Sequence, residues 1–145
     1  IPIPSDLETE GLCGAVLSEK GEPEYAGGET EGTHFVIEPR SGGDYILVRD
    51  TVPPEIRVKN KPAGMDYRRR DKLIVRLEDD FSGIDRYNAT INGKWTLFEY
   101  DAKNDRIICY FDKVPFLYKG NEYDLVIEAT DQAGNNNKLE TRFRY

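Results

Sequence analysis

The stretch Glu122-Tyr123-Asp124-Leu125-Val126-Ile127-Glu128-Ala129-Thr130 decides the fold. Tyr123, Leu125, Ile127 and Ala129 fall on one side of an extended chain, with Asp124 and Glu128 on the other. That is the period of two expected of a strand with one buried face. Outward from it the same pattern returns. Leu73, Val75 and Leu77 share one face while Arg76 and Glu78 share the other, and Ile107, Cys109 and Phe111 form a third inward row. Predicted strands in this half of the chain are Glu55 to Lys59, Lys72 to Glu78, Arg86 to Asn92, Lys94 to Tyr100, Arg106 to Phe111, Glu122 to Thr130 and Lys138 to Phe143. Asn92-Gly93 suits a two-residue hairpin turn, Asp101 to Asp105 a polar loop, and Lys119-Gly120-Asn121 a turn before the Tyr123 strand. No segment holds a helical period over three turns. The fold class is therefore all-β, and seven strands with intervening turns match an immunoglobulin-like β-sandwich.

The remainder divides by charge. Residues 1–50 carry 11 acidic and 3 basic side chains, whereas residues 51–145 carry 16 and 17. The change falls at Asp50-Thr51-Val52-Pro53-Pro54, where a Pro-Pro step stiffens the chain. Two units follow: a small, acidic, β-rich unit at 1–50 and the sandwich at 51–145. In the first, strands are expected at Leu12 to Leu17, Thr33 to Glu38 and Asp44 to Arg49. Glu19 to Gly28 is read as turn formers and charge, and Gly42-Gly43 as a hairpin turn joining the second and third strands. Three short strands make an incomplete sheet, so this unit either lacks strands or leans on the second. The opening Ile1-Pro2-Ile3-Pro4 reads as the start of a mature or excised segment, with any signal peptide outside it.

Composition excludes several functions. A net charge of −7 over 145 residues opposes nucleic-acid binding, which needs a basic face, and opposes attachment to anionic lipid. Leu12 to Leu17 is the longest apolar run, far short of the roughly 20 residues of a membrane span. The single histidine, His34, offers no partners for a Ser-His-Asp or Cys-His arrangement. Cys13 and Cys109 read as small buried hydrophobes rather than a disulfide.

Five phrases then occur in order: Asp50-Thr51-Val52-Pro53-Pro54-Glu55-Ile56, Asp79-Asp80-Phe81-Ser82-Gly83-Ile84-Asp85, Ile91-Asn92-Gly93-Lys94-Trp95, Glu99-Tyr100-Asp101-Ala102-Lys103 and Ala129-Thr130-Asp131-Gln132-Ala133-Gly134-Asn135. Together they resemble the C-terminal region of lysostaphin-like zinc metallopeptidases of the Bacteroidetes cell envelope. The stretch from Gly11 to Arg49 resembles the β-rich segment between peptidase and tail. The resemblance implies an immunoglobulin-like accessory module, located in the periplasm or at the cell surface and covalently linked to a peptidase domain. The family's zinc site needs several histidines and an aspartate, and His34 alone does not supply it. Catalytic residues and cofactors are accordingly not expected here.

Candidate binding residues remain. Asp79, Asp80, Asp85 and Asp131 bring the oxygen chemistry that calcium takes, but these residue types also serve turns, and the turn reading is preferred, so no metal is expected. Trp95 and Tyr100, with Tyr87, Tyr110, Tyr118 and Tyr25, are candidates for a sugar-stacking platform; for Trp95 a place in the sandwich core is preferred. Arg68, Arg69 and Arg70 form the one basic cluster, suited to an acidic polymer or to a solvated loop. Tyr123 is expected to act as a tyrosine corner. The leading function is a spacer or docking surface for a peptidoglycan endopeptidase. The competing one is a self-sufficient module binding carbohydrate or a surface protein, suggested by the aromatics and by the Asp131 to Asn135 ending.

Overall fold

The computed structural model describes residues 1–145 and contains thirteen strands, three short 3-10 turns and no α-helix. No helix is long and apolar enough to cross a membrane.

The second unit is a β-sandwich. Its first sheet runs β10 (Glu99–Asp101), β11 (Arg106–Tyr110), β7 (Lys72–Glu78), β6 (Glu55–Val58); the second runs β13 (Asn136–Arg144), β12 (Glu122–Asp131), β8 (Ile84–Ile91), β9 (Lys94–Trp95). Every pairing is antiparallel. The first sheet thus takes the first, second, fifth and sixth strands of this unit and the second sheet takes the rest, the grouping of immunoglobulin-like sandwiches. The alternating rows supply the interior: Leu73, Val75, Leu77, Ile107, Cys109, Leu125, Ile127 and Ala129 belong to one core of eighteen residues, all of them in this unit. Each large side chain so buried contributes roughly 1.5–3 kcal/mol. At one end, Tyr67, Phe111, Tyr123 and Phe143 add a ring cluster with centroids 5.6–6.0 Å apart. The Tyr123 hydroxyl accepts from Tyr118 N at 2.8 Å and donates to Tyr118 O at 3.2 Å, which makes the expected tyrosine corner.

Two expectations in this unit are corrected. The segment Lys94 to Tyr100 is two strands, not one: β9 closes the second sheet, the chain crosses through Thr96 and Phe98, both buried, and β10 opens the first sheet. Trp95 lies outside the core, 67% exposed. The hairpin register explains it. Asn92 and Gly93 both have positive φ, 49° and 76°, as a two-residue turn of this kind requires. The turn sets Ile91 opposite Lys94 and Thr90 opposite Trp95. Residues directly opposite share a face, and with Ile91 pointing inward, Thr90 and Trp95 point out.

The first unit is a three-stranded sheet, β2 (Pro23–Gly27), β1 (Leu12–Leu17), β5 (Tyr45–Arg49), beside a ribbon of β3 (Glu29–Glu31) and β4 (His34–Val36). The stretch expected to be turn alone thus contains β2, an edge strand entered through Pro23, where a missing N–H is tolerated. Gly42-Gly43 does not make a hairpin between β4 and β5: β4 pairs with β3, and β5 pairs with β1. Gly14, in the central strand, lets the backbones close up; a Cβ there would lie 2.5 Å from Gly27 O and 2.6 Å from the Ile37 side chain. The buried apolar residues of this unit are only Cys13, Ala15 and Phe35.

Candidate functional site

The joint between the units is built by three turns that meet. Asp50 follows β5, and its N–H donates to Gly11 O at 2.9 Å. Its Oδ1 accepts from Val52 N at 3.1 Å, a local bond that turns the chain toward Pro53-Pro54. Asp79 follows β7, and its Oδ2 accepts from Phe81 N, Ser82 Oγ and Gly83 N at 2.9–3.3 Å. Asp131 ends β12, and its Oδ1 accepts from Ala133 N and Asn135 N at 2.9 and 2.8 Å. Gln132 N donates to Gly83 O at 3.0 Å, which ties the second and third turns together. Asn135 Nδ2 donates both to Asp131 Oδ2 at 2.9 Å and to Asp50 O at 3.0 Å. Asn137 Nδ2 adds a bond to Pro54 O at 2.8 Å.

These turns bring three carboxylates together: one oxygen each from Asp50, Asp79 and Asp131 lies within 4.8 Å of the others. Asp50 is 5% exposed and Asp131 1%. Asp50 Oδ2 and Asp79 Oδ1 are buried and have no hydrogen-bond donor. None of the twelve ion pairs of the molecule reaches any of the three. Full charges at this spacing repel by roughly 3–4 kcal/mol per pair at an effective dielectric of about 20. Cys13 and Tyr25 of the first unit lie near enough to feel these charges. Burial, then the charges of Asp50 and Asp131, push the Cys13 thiol up to about 11. Burial, then Cys13 and Asp131, also raise Tyr25, whose ring meets the edge of Phe81 at 5.9 Å. The Cys13 thiol is bonded to Gly11 O at 3.7 Å, and the group that converges within 4.8 Å contains no cysteine or histidine. The donor set is oxygen only.

Of the acidic residues singled out from sequence, Asp79 and Asp131 meet in this pocket, each also capping its own turn. Asp80 is exposed, and Asp85 is an exposed partner of Arg86 at 2.8 Å. Asp50 was missed as a ligand candidate although it opens the first of the five ordered phrases. The signal available was that three of those phrases each contain one of the acids.

The other candidates are dispersed. Tyr100, 47% exposed, packs its ring 5.9 Å from Tyr87 rather than against Trp95. Tyr110 sits under Lys113 and Lys72, and Tyr118 is exposed. Arg68 forks onto Asp66 through Nε and Nη2 at 2.6–3.1 Å and holds that carboxyl down at about 2. Arg69 and Arg70 are exposed beside it. His34 is exposed on β4, its Nδ1 3.1 Å from Thr33 Oγ1. Cys109 is buried and unpaired, pushed up to about 12 by burial.

No family model matches the chain, and no curated protein does. Among solved structures it is similar to the spore cortex lytic enzyme SleM of Clostridium perfringens, at a TM-score of 0.42 and 17% identity. The match covers 72% of this chain and 34% of that one, so the chain spans about a third of that enzyme's length. A partial likeness of this degree carries no functional inference.

Proposed function

We propose that this chain is a non-catalytic accessory module of a cell-envelope peptidoglycan endopeptidase, serving as a spacer or docking surface that holds a covalently linked catalytic domain against its polymer. The observation that carries the reading is where the ordered phrases fall. Asp50 to Ile56 forms the joint, Asp79 to Asp85 and Ala129 to Asn135 form the turns that pack on it, and Ile91 to Trp95 forms the β8–β9 hairpin. The residues that carry the resemblance are scaffold residues. Groups able to do covalent chemistry are otherwise placed: both thiols are buried, which pushes them above the ordinary thiol range, and His34 faces solvent with Thr33 as its hydrogen-bond partner. Tethering a catalyst in this way raises its local concentration at the substrate without any chemistry of the tether. The test is to incubate the purified chain with isolated cell wall and zinc. No release of muropeptides is expected, and measurable turnover would end the reading.

The exposure of Trp95 favours a second reading, a carbohydrate-binding or adhesion module, because an indole face open to solvent suits a sugar ring. Saturable binding to cell-wall glycan that is lost in Trp95→Ala, with the circular dichroism spectrum unchanged, would select it over a passive spacer.

A further inference from the structure

We propose that Asp50, Asp79 and Asp131 form a calcium site that locks the first unit onto the sandwich. Two observations carry it independently. The three acids converge from three separated turns to within 4.8 Å, and Asp50, 95% buried by its 5% exposure, brings to that cluster a buried oxygen that no donor of the protein satisfies. Asp79 Oδ1 is a second such oxygen. Buried carboxylate oxygens ordinarily find a donor or a cation, and here the local donors of Asp50 and Asp79 are already spent on the opposite oxygen of each group, while Asp131 accepts through both of its oxygens. No lysine, arginine or histidine is paired with them. A cation therefore fits where a side-chain cation is missing.

The class of ion follows from the donors. Three carboxylates and no nitrogen or thiolate suit a hard ion. Calcium accepts an irregular shell of six to eight oxygens, whereas magnesium demands a near-regular octahedron. Acids each held by the backbone of a different turn make an irregular shell. The ion would bind one carboxylate from the joint and two from the sandwich, so occupancy and the fixed placement of the first unit are coupled. This inference does not depend on the accessory-module reading.

The experiment uses the chain over residues 1–145, stripped with a chelator and titrated with calcium or magnesium by calorimetry and thermal melting. One saturable calcium site is expected, with Tm rising by roughly 5–10 °C at a hundredfold excess over Kd, and a weaker response to magnesium. Asp50→Asn and Asp79→Asn keep the turn-forming acceptor and should each weaken calcium binding at least about tenfold, while Asp85→Asn should leave it unchanged. No response of the stripped wild-type chain up to about 10 mM calcium, beyond the range of weak extracellular sites, would overturn the proposal. Undiminished binding in both Asn variants would do so too. Should those variants fail to fold, hydrogen exchange on the wild-type chain decides. Slowing on calcium addition that includes residues 50–52, 79–83 and 131–135 supports the site, and exchange in those three turns unchanged by calcium refutes it.

Discussion

Tyr67 buries its whole phenol among Phe111 and Phe143, with ring centroids at 5.8 and 5.9 Å, yet its hydroxyl has no hydrogen-bond partner. Tyr123, in the same cluster, makes two bonds through its own hydroxyl. The two tyrosines should respond oppositely to the same change. Removing an unsatisfied buried polar group relieves a desolvation cost of about 1–3 kcal/mol, and removing a satisfied one loses about 1 kcal/mol and strands its partners. Tyr67→Phe is therefore expected to raise the urea midpoint and Tyr123→Phe to lower it, both at unchanged m. A lowered midpoint for Tyr67→Phe would show that its hydroxyl is bonded in solution. The pH dependence has a definite sign. Burial pushes the Tyr67 phenol from 10.0 up to about 12, so between those values the folded chain holds more protons than the unfolded one. Stability falls as pH rises through that window, and the Phe variant loses that part of the fall.

Gly14 shows how much an element can depend on one missing methyl. A side chain there meets the carbonyl of Gly27 in β2 and the Ile37 side chain, and a backbone oxygen in a paired strand has little room to yield. Gly14→Ala is expected to cost about 1–3 kcal/mol and to speed hydrogen exchange in β1, β2 and β5, with β7, β8, β11 and β12 unaffected. Equal protection in both units would show that the β1–β2 spacing is tolerant. The elements legible in the sequence were those with one face on the large core: β7, β11 and β12 announce themselves by alternation because water on one side and side chains on the other impose it. β2 was not legible, since Pro23 to Gly27 lies at a sheet edge, has no fully buried residue, and is specified by its partner β1. Trp95 was legible and was misread: Asn92-Gly93 fixes Trp95 opposite Thr90, which settles its face once Ile91 is placed inside. The pocket was half legible. Asp79 and Asp131 sit in recognisable turns, but their meeting with Asp50 depends on how the joint folds back, which spacing along the chain does not encode.

At the scale of the molecule, stability is concentrated in residues 51–145. The sandwich holds all eighteen residues of the core, while the first unit buries Cys13, Ala15 and Phe35 as its apolar interior. A three-stranded sheet with so little interior is marginal alone. Residues 51–145 expressed without the first unit should retain a cooperative thermal transition, and residues 1–50 by themselves should show none by circular dichroism. A sharp transition in the isolated 1–50 segment would mean that it does not rely on the Asn135 and Asn137 bonds to the joint or on the Tyr25–Phe81 contact.

The nine-residue strand β13 borders its sheet, its outer flank open except at Arg144, whose carbonyl accepts from Tyr67 N at 2.7 Å. Such a flank is a template on which another molecule can add a strand and begin a fibril. Here Lys138, Arg142 and Arg144 are engaged with Glu128, Asp124 and Glu122 on the neighbouring strand, and Glu140 with Lys138 on its own. Sideways stacking of a second copy would bury these charges, at a cost that grows with every residue zipped.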